Sequence, residues 1–556
     1  MPRIVMLSRP IPFIALSLML VAACGRGGES AGGGPDPESA PVDGGTAVVA
    51  TVSDFDAFND LVSTDFETNQ VRNFMLFMPL LRLDEELNFE PYLADSFGVA
   101  EDGLSITFRI RDGVTWHDGA PTTVEDIIWS FEMIKKPEIA YANSAYFQYV
   151  TSVDRIDDRR VRFNFSQAYA DAPMDYTQWQ TMPKHLLENV DAADMKNAEF
   201  NRHPVGNGPF KFVSWQPEQQ VVLEVNEDFV LGRPHLDRVV FRVIPEQTTE
   251  LTELLTGGID YMRAIPPKEM ARVESSDRAY SITYPTRSYT FLAWNTRNAL
   301  FEDPSVRRAL TLAIDREQIV EALLYGYGQI GVADAMPFQW PFHETLDPWP
   351  YDPERAKALL AEAGWTDTNG DGVLDKDGRP FRFSLRTNQG NDLREDIIVI
   401  VQSDLEKVGI EVQPRLMEWN TFIDDLKAKR FEAAVSGWAV DFKFDPTDLF
   451  STAAIDGKYN YPSYTNPRAD TLMQQALTTI DREKAKPLWY EYQEIIHRDQ
   501  PYTFLYYLEE RVGVSTRLQN VEADARGYLV GITRWWIPES MQRRGGDRPL
   551  AVSSSE

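Results

Sequence analysis

The chain is poor in cysteine, in basic charge and in long apolar runs. Of 556 residues only Cys24 is a cysteine, so an intrachain disulfide is excluded. Lys and Arg number 55 against 85 Asp and Glu, a formal net charge of -30. Nucleic acid is excluded as a partner, because phosphate neutralisation needs clustered Lys and Arg. An acidic surface keeps the protein solvated and, more weakly, favours cationic ligands. No segment approaches the roughly 20 apolar residues that span a bilayer. Enzyme signatures are also missing: the sequence holds no HExxH, GxSxG or GxxxxGK[ST]. The six histidines are scattered without metal-ligand spacing. Gly326, Gly328 and Gly331 match GxGxxG, but they follow a helical pattern rather than a strand. A phosphate cradle needs the reverse order, so this segment reads as a loop. No nucleophile–base pair emerges, which counts against an enzyme such as a surface hydrolase.

What is present begins at the N-terminus. Arg3 and Arg9 precede an apolar run of 13 residues, Ile11 to Ala23. This is too short to span a membrane and reads as a signal peptide over 1–23. Val21-Ala22-Ala23-Cys24 resembles the lipobox of bacterial lipoproteins. The resemblance implies that Cys24 carries acyl chains and anchors the protein to the periplasmic or extracellular face of a bacterial membrane. Each buried methylene contributes about 0.8 kcal/mol. Residues 24–45 are rich in Gly, Ser, Pro and acids and form a flexible tether. The tail 541–556 reads as disordered on the same grounds.

Between these ends, Leu104, Ile106, Phe108 and Ile110 alternate with polar residues, the signature of a strand with one wet face. Val161, Phe163 and Phe165 repeat the pattern. Thr122-Thr123-Val124-Glu125 reads as a capping box that opens a helix. Asp303-Pro304 and Asp352-Pro353 each read as an N-cap followed by a first-turn proline. Helices are predicted to stop at Gly364 and Gly409. Ile410 to Val412, Glu418 to Lys429 and Phe431 to Ser436 read as strand, helix and strand. That succession predicts a right-handed crossover and a parallel sheet, hence an α/β lobe. In such sheets ligands sit beyond the carboxyl ends of strands, which here directs attention to Gly437–Asp441.

Asp367, Asn369, Asp371, Val373 and Asp375 follow the spacing of an EF-hand-type loop, with Gly372 at the sixth place and Asp377 nearby. Alternating oxygen ligands suit calcium. The twelfth place is Gly378 rather than the bidentate Glu of the full motif. The loop is a candidate structural calcium site; no cofactor is otherwise required.

Several segments carry a family resemblance. Glu90-Pro91-Tyr-Leu-Ala-Asp95, Gly103 to Phe108, Trp116-His117-Asp118-Gly119 and Val205-Gly206-Asn207-Gly208-Pro209-Phe210 resemble family 5 extracellular solute-binding proteins. So do Val306 to Leu310, Ala313 to Glu317 and Tyr351-Asp-Pro353. The resemblance implies a type II-like periplasmic-binding-protein clamp of two lobes with an extra inserted domain. Lobe I would comprise 46–82, 205–290 and 506–540; the inserted domain 83–204; lobe II 291–505. It implies a monomeric receptor that captures peptides for an ABC permease and ATPase complex. Relatives that take oligosaccharide, nickel chelate or other small solutes are the alternative. Gly437-Trp438-Ala439-Val440-Asp441 resembles the family's Gly-Trp-x-x-Asp. This implies that Asp441 accepts a peptide α-ammonium, with Trp438 beside the ligand.

Overall fold

The computed structural model describes residues 40–169 and 171–542. The predicted signal peptide, Cys24, most of the tether and the tail beyond Gln542 lie outside these residues.

One sheet of eleven strands runs through the whole molecule. Its order from one edge is Glu411–Met417, Arg382–Asn388, Ala433–Ala439, Ala279–Trp294, Tyr502–Ser515, Tyr261–Met262, Thr46–Thr51, Arg238–Val243, Gln220–Val225 and Phe210–Gln216. Gly328–Ile330 adds to the flank of Tyr502–Ser515. The loop expected at the GxGxxG match therefore contains a short strand.

Two long antiparallel strands, Ala279–Trp294 and Tyr502–Ser515, belong to both lobes. Their register shifts between Pro285 and Tyr289. Before the shift the pair meets the strands of lobe I; after it, Ser288 to Trp294 pair with Ala439 to Ala433 of lobe II. Proline lacks the amide a ladder needs, so the pairing breaks and re-forms across this point.

In lobe II, Arg382–Asn388 pairs parallel with both Glu411–Met417 and Ala433–Ala439. This is the predicted parallel α/β sheet, with its apolar core divided between two faces. The last of these strands extends through Trp438 to Ala439. Sequence patterning ended it at Ser436. Gly437 interrupts the apolar run, but its backbone pairs with Thr290, and a Cβ there would lie 3.0 Å from the Tyr289 carbonyl oxygen. Trp438 is thus a strand residue.

Within 83–204, Ala94–Val99, Ser105–Ile110, Arg160–Phe165 and Val150–Arg155 form a separate four-stranded sheet. Ile106, Phe108, Val161 and Phe163 are fully buried and join the lobe I core. Its helix, Val124–Ile134, is capped by Thr123 with Asp126 rather than Glu125 closing the box. Asp126 sits three residues from the cap, where its carboxylate reaches the Thr123 amide.

Some residues that carry the family resemblance have plain packing roles. A Cβ at Gly206 or Gly208 would lie 1.8 Å from the Leu76 carbonyl oxygen or 2.5 Å from that of Met75. Only glycine permits this approach. His117 Nδ1 accepts from the Gly206 amide, so Nε2 donates to the Gly208 carbonyl at 3.0 Å. Burial lowers His117 to about 4 and keeps it neutral. Asp303 and Asp352 cap Pro304–Ala313 and Pro353–Glu362 as their sequence pattern implies.

Candidate functional site

The register shift opens a cleft between the lobes. A cavity of about 580 Å³ is lined by Thr286, Arg287 and Ser288 from the crossing strand, Tyr146 from the inserted region, and Asp441 from lobe II. Asp441 stands two residues past Ala433–Ala439, where the chain leaves the sheet. Val440 N–H donates to the Arg287 carbonyl at 2.8 Å, fixing this exit against the hinge.

Both carboxylate oxygens of Asp441 have partners. Oδ1 accepts from the Phe442 amide at 2.6 Å. Oδ2 accepts from the Tyr146 hydroxyl of the opposite lobe. Burial, then the nearby Asp441 charge, pushes Tyr146 well above its ordinary range, so it remains a donor. The Asp441 carbonyl accepts from Gln339 Nε2 at 2.7 Å. Arg287 lies over the Phe442 ring, 5.0 Å from its centre. A carboxylate held on one side by its own loop and on the other by a single phenol can exchange that phenol for a ligand ammonium.

Trp438 lines a second cavity of about 330 Å³ that shares Tyr146, Ala439, Val440 and Asp441 with the first. It stacks on Tyr461 at 5.0 Å and donates from Nε1 to the Tyr502 hydroxyl at 3.4 Å. The structure therefore brings Asp441 and Trp438 to one site. Sequence reasoning missed Tyr146, Arg287 and Gln339, which come from three distant segments with no local pattern to mark them.

The lobes also touch below the cleft. Phe442 packs with Leu83, Leu87 and Met174. Lys443 Nζ donates to the Tyr169 hydroxyl at 2.7 Å, and Tyr169 donates to Asp175 Oδ2 at 2.7 Å. Burial raises Asp175 to about 8, against the lowering effect of Lys443.

The acidic loop behaves otherwise. Asp367 accepts from the Gly370 and Gly372 amides, Asp371 from the Val373 amide, and Asp375 from Thr368. Asn369 accepts from the Asp371 amide, and Asp377 forms the left-handed corner of a hairpin at φ 52°. These oxygens turn toward their own backbone. Among the described residues no three His, Cys, Asp or Glu side chains are grouped to hold a metal ion.

A family model described as "Bacterial extracellular solute-binding proteins, family 5 Middle" matches residues 88–461. The oligopeptide-binding protein AppA of Bacillus subtilis is 35% identical over 542 residues, covering 95% of this chain and 99% of AppA. The solved structure of that organism's AppA in complex with a nonapeptide has 36% identity and a TM-score of 0.69, covering 90% of this chain and 100% of that one. NikZ from Campylobacter jejuni in complex with Ni(L-His) has 25% identity and a TM-score of 0.70, covering 88% of this chain and 99% of that one. No helix among the described residues is long and apolar enough to cross a membrane.

Proposed function

The chain belongs to the bacterial extracellular solute-binding proteins, family 5, and from that premise we propose that it captures peptides between its lobes and delivers them to an ABC permease. Asp441 accepts the ligand's α-ammonium. The observation that carries this reading is the position of Asp441: at a strand's exit, inside the inter-lobe cavity, with one oxygen facing the opposite lobe. A charge-assisted bond there contributes roughly 1.5–3 kcal/mol. The likeness to AppA, a protein solved with a nonapeptide, supports peptides over smaller solutes.

The ligand stabilises closure by contacting both lobes at once, which shifts the population toward the shut form. The protein acts as a receptor, and the ligand leaves unchanged. Acyl chains on Cys24 hold it, as a monomer, at the periplasmic or extracellular face of a bacterial membrane.

Calorimetry with one peptide in free and N-acetylated form tests the site. The free peptide binds, and acetylation lowers affinity by at least about tenfold. Equal affinity would remove Asp441 from its role. Metabolic labelling with palmitate tests the anchor; a Cys24→Ser chain that still takes up label would refute it.

A further inference from the structure

The second cavity holds two buried polar groups that nothing in the site explains. Asp334 is 3% exposed and lines that cavity. Its Oδ2 accepts from the Tyr492 hydroxyl at 3.0 Å, while Oδ1 has no partner. Tyr289, 1% exposed, lines the same cavity, and its hydroxyl is also unpartnered. Buried polar atoms are nearly always satisfied, so two in one cavity point to a group that enters from outside.

The chemistry of the walls selects that group. Four carboxyl groups line the cavity, Asp334, Asp441, Asp445 and Asp448, against one ammonium, Lys443. Lys443 is already engaged with Tyr169, 4.6 Å above its ring. The titratable groups that couple to Asp334 are phenols: Tyr492 on Arg482–Asp499, Tyr289 on Ala279–Trp294, and Tyr502 and Tyr507 on Tyr502–Ser515; on the segment before it, Arg316 and His497 bind the Gly331 and Val332 carbonyls. Tyr507 is occupied by Val332 and Ala333. Trp438, Phe444 and Tyr459 complete an aromatic cage that suits an ammonium or guanidinium.

Resting on the peptide reading above, we propose that this cavity receives the side chain of the ligand's first residue and selects lysine or arginine there, with Asp334 as the charge partner. The α-ammonium at Asp441 places the first side chain at the cavity's mouth, because Asp441 lines both cavities. A cation on Asp334 Oδ1 with Tyr289 beside it would satisfy the open positions.

Burial raises Asp334 to about 7 with no cationic side chain to oppose it. It is therefore charged above that pH and neutral below, and the selection is strongest in mild alkali. The test is calorimetry with Lys-Ala-Ala and norleucine-Ala-Ala, which differ only in the terminal ammonium of the first side chain. At about pH 8 the lysine peptide binds about tenfold tighter, and the preference shrinks several-fold by about pH 5.5. Measured in two buffers of different ionisation enthalpy at about pH 6, the lysine peptide releases protons and the norleucine peptide does not. Asp334→Asn binds both peptides alike. Equal affinity of the unaltered protein for the two peptides, no difference in proton release, or a preference that survives Asp334→Asn would each overturn this assignment while leaving Asp441 in place. Failure of both peptides to bind at all would instead overturn the peptide reading on which it rests.

Discussion

Asp441 and the loop around Asp367 are both acidic and close to strands of lobe II, yet their carboxylates find different kinds of partner. In the loop the carboxylate oxygens of Asp367, Asp371 and Asp375 each accept from an amide or hydroxyl within seven residues. At Asp441 one oxygen is held locally, and the other meets Tyr146, 295 residues away, across the cleft. Local acid density therefore says little about which partners a carboxylate finds. Asp441 differs in that one of its partners belongs to a distant element across the cleft. The loop carboxylates instead shape a turn, as Asx residues commonly do.

The largest expected effect breaks the cleft side of this comparison. Asp441→Ala lowers peptide affinity by about tenfold or more, the loss of a charge-assisted bond of roughly 1.5–3 kcal/mol. Its thermal midpoint stays near that of the parent; calorimetry and a melting scan measure both, and unchanged affinity would equate Asp441 with the loop. Tyr146→Phe removes the phenol from the same carboxylate. The ligand-free protein then populates the open form several-fold more, since an inter-lobe bond to a charge is lost. Small-angle scattering reads this as a larger radius of gyration, and identical profiles would deny the contact any part in closure.

Asp175 extends the comparison to the lower contact. Its pKa of about 8 lies far above the ordinary carboxyl value. The stability tied to its protonated form is present in acid and lost as pH rises through about 8. Asp175→Asn, permanently neutral, flattens the fall in thermal midpoint between about pH 5 and 8 by about 1–2 °C. A parallel slope in both proteins would contradict the assignment. The smallest effect belongs to the loop. Asp367→Ala with Asp371→Ala leaves peptide affinity within about twofold and costs about 1 kcal/mol of stability through lost turn hydrogen bonds. Millimolar calcium leaves the parent's melting curve in place; a clear upward shift would reinstate a bound ion.

Much of the fold was legible locally. Asp303 and Asp352 before proline, alternating Ile106 and Phe108, and the stop at Gly409 each follow from constraints within one turn or one strand. The capping box lies one residue later than the sequence pattern implies, since Glu125 and Asp126 are both acidic and only the backbone decides which reaches Thr123. The extension of Ala433–Ala439 was not legible either, because Gly437 breaks the apolar run while its backbone still pairs.

By itself the sequence determined that this is an α/β chain without enzyme signatures, and that one segment, Gly437 to Asp441, ends a strand with an acid. Local backbone preference and apolar spacing suffice for that. Tertiary structure alone decided that Pro285 to Tyr289 is the crossing between lobes, that Tyr146 faces Asp441, and that Asp334 and Tyr289 share a cavity beside it. Those juxtapositions join residues scores to hundreds of positions apart. Side-chain chemistry leaves no periodic trace of a partner that only long-range packing brings near.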